Sequence, residues 1–538
     1  MKKTTKLISL TSAMLMAFSS LAACGKPKIA DNETTLEIYA TDAGYGIQWL
    51  YELEKIFEAE TDYDVEITYD TGVELARQKV QSGSSICTAD LFFSLEDWET
   101  IAPSGVIEDM TDFMETTIDG EKLKDKFRPY SLEALDVEYE KFDYEPHYYT
   151  LPWAASATGI VYNAALFETK GWALPRTSNE LVSLANTIKT AGYIPFCNET
   201  TTGYMSYIIA AMWAQYDGVD YYYDYLSPTS EDDWIKYSSS AETKGRLYAS
   251  MVAEELYNKD AGLLNPMAQE DDYGRAQGRL ISLQGAMAVN GDWFDNEMSL
   301  AISQGNAAGN NYKSGMMLTP VISCIVDKLD FWAEEYAEKD DPSYYTVIAD
   351  PPITPLVPTF DAYLADLVDY VDGIKTEMPT ITINGKTYTA TESDVATIQE
   401  ARGCYRSLGS GHTVVIPSFA KAKTAAFKFL ELFYSERGAA IFVEETKGGL
   451  PAIQYDVTKW SGYANATKFQ KDVFNMIEKG TAINFPAERY NGLPSMYSKF
   501  YLYSQSDKKN YLSAQAWYST SCWSKQQFID FMKSAGLM

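Results

Sequence analysis

Leu36-Glu37-Ile38-Tyr39-Ala40, Val65-Glu66-Ile67-Thr68-Tyr69 and Ala89-Asp90-Leu91-Phe92-Phe93 are three strand-like runs whose order decides the fold. Between the first two, Ile47, Leu50, Leu53 and Phe57 recur at helical spacing, and residues 73–81 before the third are also helix-like. Strand, helix, strand, helix, strand implies a parallel, doubly wound α/β sheet. Such sheets hold ligands at the carboxyl ends of their strands. The turns Asp42 to Gly46 and Ser94 to Trp98 therefore become candidate ligand loops.

The chain has 538 residues, enough for two or more cores, and 40 Tyr, 23 Phe and 11 Trp to fill them. Its formal charge of −31 repels phosphate backbones, so no nucleic acid is expected as a partner. His147 and His412 are the only histidines, which excludes HExxH and His₃ zinc sites. Cys87, Cys197, Cys324, Cys404 and Cys522 form no CxxC pair and read as buried small side chains. No metal or other cofactor is expected.

Lys2, Lys3 and Lys6 precede an apolar stretch, Leu7 to Phe18, too short to span a membrane. Leu21-Ala22-Ala23-Cys24 follows, the pattern of a bacterial lipoprotein signal. Residues 1–23 then read as a signal peptide, Cys24 as the lipidated new N-terminus and 24–34 as a tether. Acyl chains contribute roughly 0.8 kcal/mol per buried CH₂, so several anchor stably. The expected location is the extracellular face of the bacterial cell membrane.

Farther along come Leu151-Pro152-Trp153, Thr158-Gly159-Ile160-Val161-Tyr162-Asn163, Leu166-Phe167, Gly171, Pro175 and Thr177-Ser178-Asn179-Glu180, a capping box before a helix. In this order they resemble extracellular solute-binding protein family 1, the carbohydrate-binding lipoproteins of ABC importers, related to maltose-binding protein. Gln284 to Trp293, Lys423 to Tyr434 and Gly448-Gly449-Leu450-Pro451-Ala452 extend the resemblance. It implies two doubly wound lobes of the type II periplasmic binding protein kind, joined by crossover strands. The lobes would be 35–157 with 319–440, and 158–318 with 441–538. Crossovers are expected near Ala155 to Gly159, Gly315 to Pro320 and Ala439 to Gly449. A departure lies at about 324–402, an insert carrying the hairpin Ile381 to Thr389 with an Asn384-Gly385 type I′ turn.

The resemblance further implies that a sugar, in particular an oligosaccharide, is trapped between the lobes and delivered to the ABC permease by a monomer that performs no chemistry. Aromatic faces would cover sugar C–H faces, and carboxylates, amides and hydroxyls would take the O–H groups. Trp293 is the leading candidate, with Asp292 and Asp295 beside it. Trp153, Tyr45, Ser94, Glu96 and Asp97 follow at strand ends. Asn198 and Tyr204 come after the Ile194-Pro195-Phe196 run. Gly411 and His412 lie in a Gly-rich turn. Trp293→Ala is expected to weaken sugar binding with little change in melting temperature.

Other readings remain open at this point. A surface glycoside hydrolase would need two carboxylates about 5–5.5 or 6.5–9.5 Å apart across one bond, and no motif pairs them. A glycan-binding adhesin would need no permease. A polyamine, amino-acid or iron ligand would suit the same fold. The cluster Tyr204, Tyr207, Tyr216, Tyr221, Tyr222, Tyr223 and Tyr225 reads mainly as packing and rim surface, since adjacent helical tyrosines face different ways.

Overall fold

The computed structural model describes residues 34–534, apart from 73–74, 96–97, 99–100, 102–103, 129–130, 132–146, 201–202, 227, 239–243, 258–260, 337–357, 408–411 and 485–512. The signal peptide, Cys24 and most of the tether lie outside the described residues.

The strands of the first part are β1 (Thr35–Thr41), β2 (Asp64–Asp70), β3 (Leu91–Ser94), the small hairpin β4 (Thr117–Ile118) and β5 (Glu121–Lys122), and β6 (Leu151–Pro152). Then come β7 (Thr158–Asn163), β8 (Ile194–Phe196), β9 (Gly285–Gly291) and β10 (Ser314–Met317). The last are the hairpin β11 (Thr380–Ile383) and β12 (Lys386–Thr389), then β13 (Cys404–Ser407), β14 (Thr413–Val415) and β15 (Thr481–Asn484).

Two sheets define two lobes. The first has the order β2-β1-β3-β14-β6, with β1 parallel to β2 and β3, and β14 antiparallel to β3 and β6. The second has the order β10-β7-β9-β8, with β7 antiparallel to both neighbours and β8 parallel to β9. The helix Gln48–Glu60 buries Trp49, Leu50, Leu53 and Phe57, one stripe facing the first sheet's core. In the second lobe, the Thr177 side chain accepts the Glu180 N–H and caps the helix Ser178–Thr190. Glu180 reaches back one residue beyond the box, to the Arg176 N–H at 2.7 Å. The chain is thus α/β with two lobes.

The first connection is 153–157, where Ala154, Ala155 and Ala157 are fully buried. It is strapped on both sides: the Ala155 N–H donates to the Leu450 carbonyl at 2.9 Å, and the Asp292 N–H to the Ala157 carbonyl at 2.9 Å.

The second passage differs from the sequence expectation of Gly315 to Pro320. After β10 the chain stays on the second lobe: Val321 exchanges backbone hydrogen bonds with Arg176 and Ser178, and the Gln215 side chain takes the Ile322 N–H at 2.9 Å. Tyr216 donates to Asp327 at 2.8 Å, and Arg176 pairs with Asp369 at 2.6 Å. The insert at 324–402 therefore docks on the second lobe, not the first. It has its own small core, with Phe331 against Phe360, Tyr363 and Tyr388. The chain regains the first sheet only at β14, so the return lies between β13 and β14.

The third passage is also later than Ala439 to Gly449. The helix Glu436–Glu445 belongs to the first lobe, with Phe442 edge-on to Trp49 at 5.3 Å. The helix Lys468–Lys479 belongs to the second, where Asp472 accepts the Met316 N–H at 3.0 Å.

The final helices, Ala514–Ser521 and Lys525–Ser534, also lie on the second lobe. Arg246, 4% exposed, is enclosed by the rings of Tyr225, Trp517 and Tyr518, which tie the tail down. Among the described residues no helix is long and apolar enough to cross a membrane.

Candidate functional site between the lobes

The loop after β1 crosses to the second lobe. Gly44 and Gly46 flank Tyr45 with φ of +54° and +67°, a left-handed backbone that glycine adopts without strain. This geometry turns the Tyr45 ring inward. Its hydroxyl donates to the Asp292 carboxylate, with both oxygens at 2.8 Å. Around it stand His412 at 5.3 Å, Trp153 at 5.6 Å, Phe442 at 5.7 Å and Trp293 at 6.4 Å between ring centroids. Trp153 meets His412 edge to face at 4.9 Å. Such edge contacts suit the aromatic quadrupole.

Asp292 follows β9 directly and is held by the first connection, with the Ala157 N–H donating to its Oδ1 at 3.1 Å. Burial pushes its carboxyl up to about 6, against the lowering effect of the Tyr45 and Ala157 hydrogen bonds. Trp293 folds back over Gly291, where a Cβ would lie 2.1 Å from the indole, so only glycine fits. Across the lobes, the Asn296 side-chain amide donates to the Gly44 carbonyl at 3.0 Å.

The structure thus brings Tyr45, Trp153, Trp293, Asp292 and His412 together. Tyr204 extends this wall, 6.3 Å from Trp293 and 5.4 Å from Tyr207. Ser94 is fully buried below it: its Oγ accepts the Trp98 Nε1–H at 3.0 Å and its carbonyl the Trp153 Nε1–H at 3.2 Å. Its place is that of a support for Trp153. Asp295 accepts the Ser314 hydroxyl, and burial pushes its carboxyl up to about 6. Asn198 spends its amide on β9, accepting the Val289 N–H at 2.8 Å and donating to the Val289 carbonyl at 2.9 Å. That makes it a brace for the strand leading to Asp292. Glu96, Asp97 and Gly411 lie outside the described residues.

One expectation needs revision. Trp293 is only 5% exposed, so its truncation removes packing and lowers stability as well. Among the tyrosines, Tyr207, Tyr216, Tyr222 and Tyr225 are buried packing residues, in line with the packing reading of that cluster. Sequence reasoning missed Phe442, Asn296 and Gly449. Phe442 looks like any core residue of an amphipathic helix. Asn296 carries no motif. Gly449 stands in a quoted stretch, yet only the fold shows that a Cβ there would lie 2.9 Å from the Tyr45 ring.

Comparison with known proteins bears on this arrangement. A search of the curated proteins by sequence finds no match. The fold is similar to a protein of Caldanaerobius polysaccharolyticus solved in work on xylan utilization, at TM-score 0.57 and 14% identity, covering 91% of this chain and 99% of that one. It is also similar to the Thermus thermophilus maltotriose binding protein, at TM-score 0.53 and 14% identity, covering 92% and 100%. A third is an ABC transporter solute binding protein of Thermotoga lettingae bound with α-D-tagatose, at TM-score 0.55 and 19% identity, covering 94% and 100%. At these identities the likeness speaks to fold alone. The family model of the bacterial extracellular solute-binding proteins matches residues 39–322, more than half of the sequence. The chain belongs to the bacterial extracellular solute-binding protein family.

Proposed function

We propose that this protein is the substrate-binding lipoprotein of an ABC importer, capturing a sugar or oligosaccharide between its lobes and passing it to a permease. The observation that carries the reading is the ring of Trp153, Trp293 and His412 around Tyr45, whose hydroxyl reaches the Asp292 carboxylate where the two lobes meet. Rings that shed water onto sugar C–H faces, beside an ionised acceptor for O–H groups, form a chemically apt sugar site. Neighbours of the fold described as bound with maltotriose and tagatose support the same class of ligand. Ligand capture needs only a differential affinity: a sugar that binds the closed arrangement better shifts the lobes toward it. The chain acts as a carrier and leaves the sugar unaltered. Cys24 is the lipid attachment point, which places the carrier on the outer face of the membrane.

A thermal-shift screen of the mature chain against an oligosaccharide panel tests the reading, with mass spectrometry of each sugar after overnight incubation. A raised melting temperature with unchanged sugar mass is expected. Loss of sugar mass would instead support a hydrolase.

A further inference from the structure

We infer that Tyr45 is a built-in plug that fills one sugar-ring position of the inter-lobe site and is displaced when ligand enters. The inference rests on the proposed function and adds a regulatory contact to it. Tyr45 is 2% exposed, so its phenol ring occupies the centre of the cage and leaves that position no access to solvent. The ring does chemically what a pyranose would do there. Its faces and edges lie against Trp153, His412 and Trp293, and its one hydroxyl donates to Asp292 at 2.8 Å. A sugar and Tyr45 therefore compete for the same rings and the same carboxylate.

The surrounding backbone is shaped for this occupant. Gly449 lacks the Cβ that would lie 2.9 Å from Tyr45 Cδ1 and Cε1. Gly44 lies against Trp293, where a Cβ would be 3.3 Å from the side chain. The same loop provides a way out. Gly44 and Gly46 bracket Tyr45, and glycine has many alternative backbone states at low cost. The Asn296 hydrogen bond to the Gly44 carbonyl fastens the same loop across the lobes, alongside the Arg128–Glu478 ion pair at 3.0 Å. The plug holds the empty lobes together and lowers affinity by the fraction of molecules in which it is seated.

The test uses three proteins, the wild type, Tyr45→Phe and Tyr45→Ala, with maltotriose, raffinose and xylotriose as probes. Tetranitromethane labelling of Tyr45 is followed by peptide mapping. A trisaccharide that raises the melting temperature should speed nitration of Tyr45 in the wild type. Tyr45→Phe, whose seat lacks the Asp292 hydrogen bond, should bind that sugar about tenfold more tightly. Phenol should raise the melting temperature of Tyr45→Ala and leave the wild type unchanged, since an emptied apolar cage takes a small ring. Protection of Tyr45 from nitration, weaker binding by Tyr45→Phe, or no phenol effect on a folded Tyr45→Ala would each overturn the plug. If no trisaccharide stabilises any of the three, the sugar reading fails, and the phenol arm still decides whether the cage is a ring seat.

Discussion

Replacing Asp292 by Asn tests the electrostatics of the site in one step. Asp292 is 6% exposed, and its carboxylate takes the Tyr45 hydroxyl and the Ala157 N–H. Burial raises its carboxyl from an ordinary 3.8 up to about 6, which corresponds to about 3 kcal/mol of native-state preference for the neutral form. Because the native value is the higher one, this contribution is fully present below pH 3.8 and is lost as the pH rises through about 6. At pH 8 the wild type therefore carries a buried charge at a cost of about 3 kcal/mol. Asparagine keeps a carbonyl oxygen for both donors and carries no charge. The variant should be more stable at pH 8 by about 1–3 kcal/mol, with roughly half that advantage left at pH 5. Asp217, Asp295 and Asp327, also pushed up to about 6, titrate alike in both proteins and cancel in the difference. Urea unfolding of both proteins at pH 5 and pH 8 reads this directly. An Asn variant no more stable than wild type at pH 8 would refute the reasoning and make the ionised carboxylate a net structural tie.

Other consequences can be checked separately. Trp293→Ala should cost about 3–5 kcal/mol in urea unfolding, so Trp293→Phe is the variant suited to binding tests. Gly44→Ala places a Cβ at φ +54° and 3.3 Å from Trp293, and should lower stability by about 1–2 kcal/mol in the same assay. Arg246→Met removes the cation enclosed by Tyr225, Trp517 and Tyr518. It should destabilise by about 2 kcal/mol and make the final two helices the first segment cut in limited proteolysis. Cys24→Ala should abolish incorporation of labelled palmitate in a bacterial host and release the protein from the membrane fraction.

The elements that local pattern specifies were legible in the sequence. β1 and β3 are runs of mostly buried strand residues, β2 is a more exposed edge strand with Val65 buried, helical spacing lies between them, and β7 coincides with the quoted stretch Thr158–Asn163. Asn384 and Gly385 have φ of +52° and +80°, as a type I′ turn between β11 and β12 requires. What stayed hidden depends on contacts between distant residues. The side of the molecule that takes the insert is set by pairs such as Arg176–Asp369 and Tyr216–Asp327, which no local period encodes. The return strand β14 has three residues, too few to show a period. At the site, aromatic residues at strand ends were readable as cleft candidates. Their mutual packing was not, because the burial of Tyr45 depends on Gly449 and Phe442, some 400 residues away in sequence.

The central claim is that a sugar is held where the two lobes meet. Hydrogen exchange of the mature chain, with and without the trisaccharide that most raises its melting temperature, tests this most directly. The account predicts slowed exchange at 153–157 and 291–296, the connection and the strand end that carry Trp153, Asp292 and Trp293. Slowed exchange confined to other surfaces, or no change with any sugar, would contradict it.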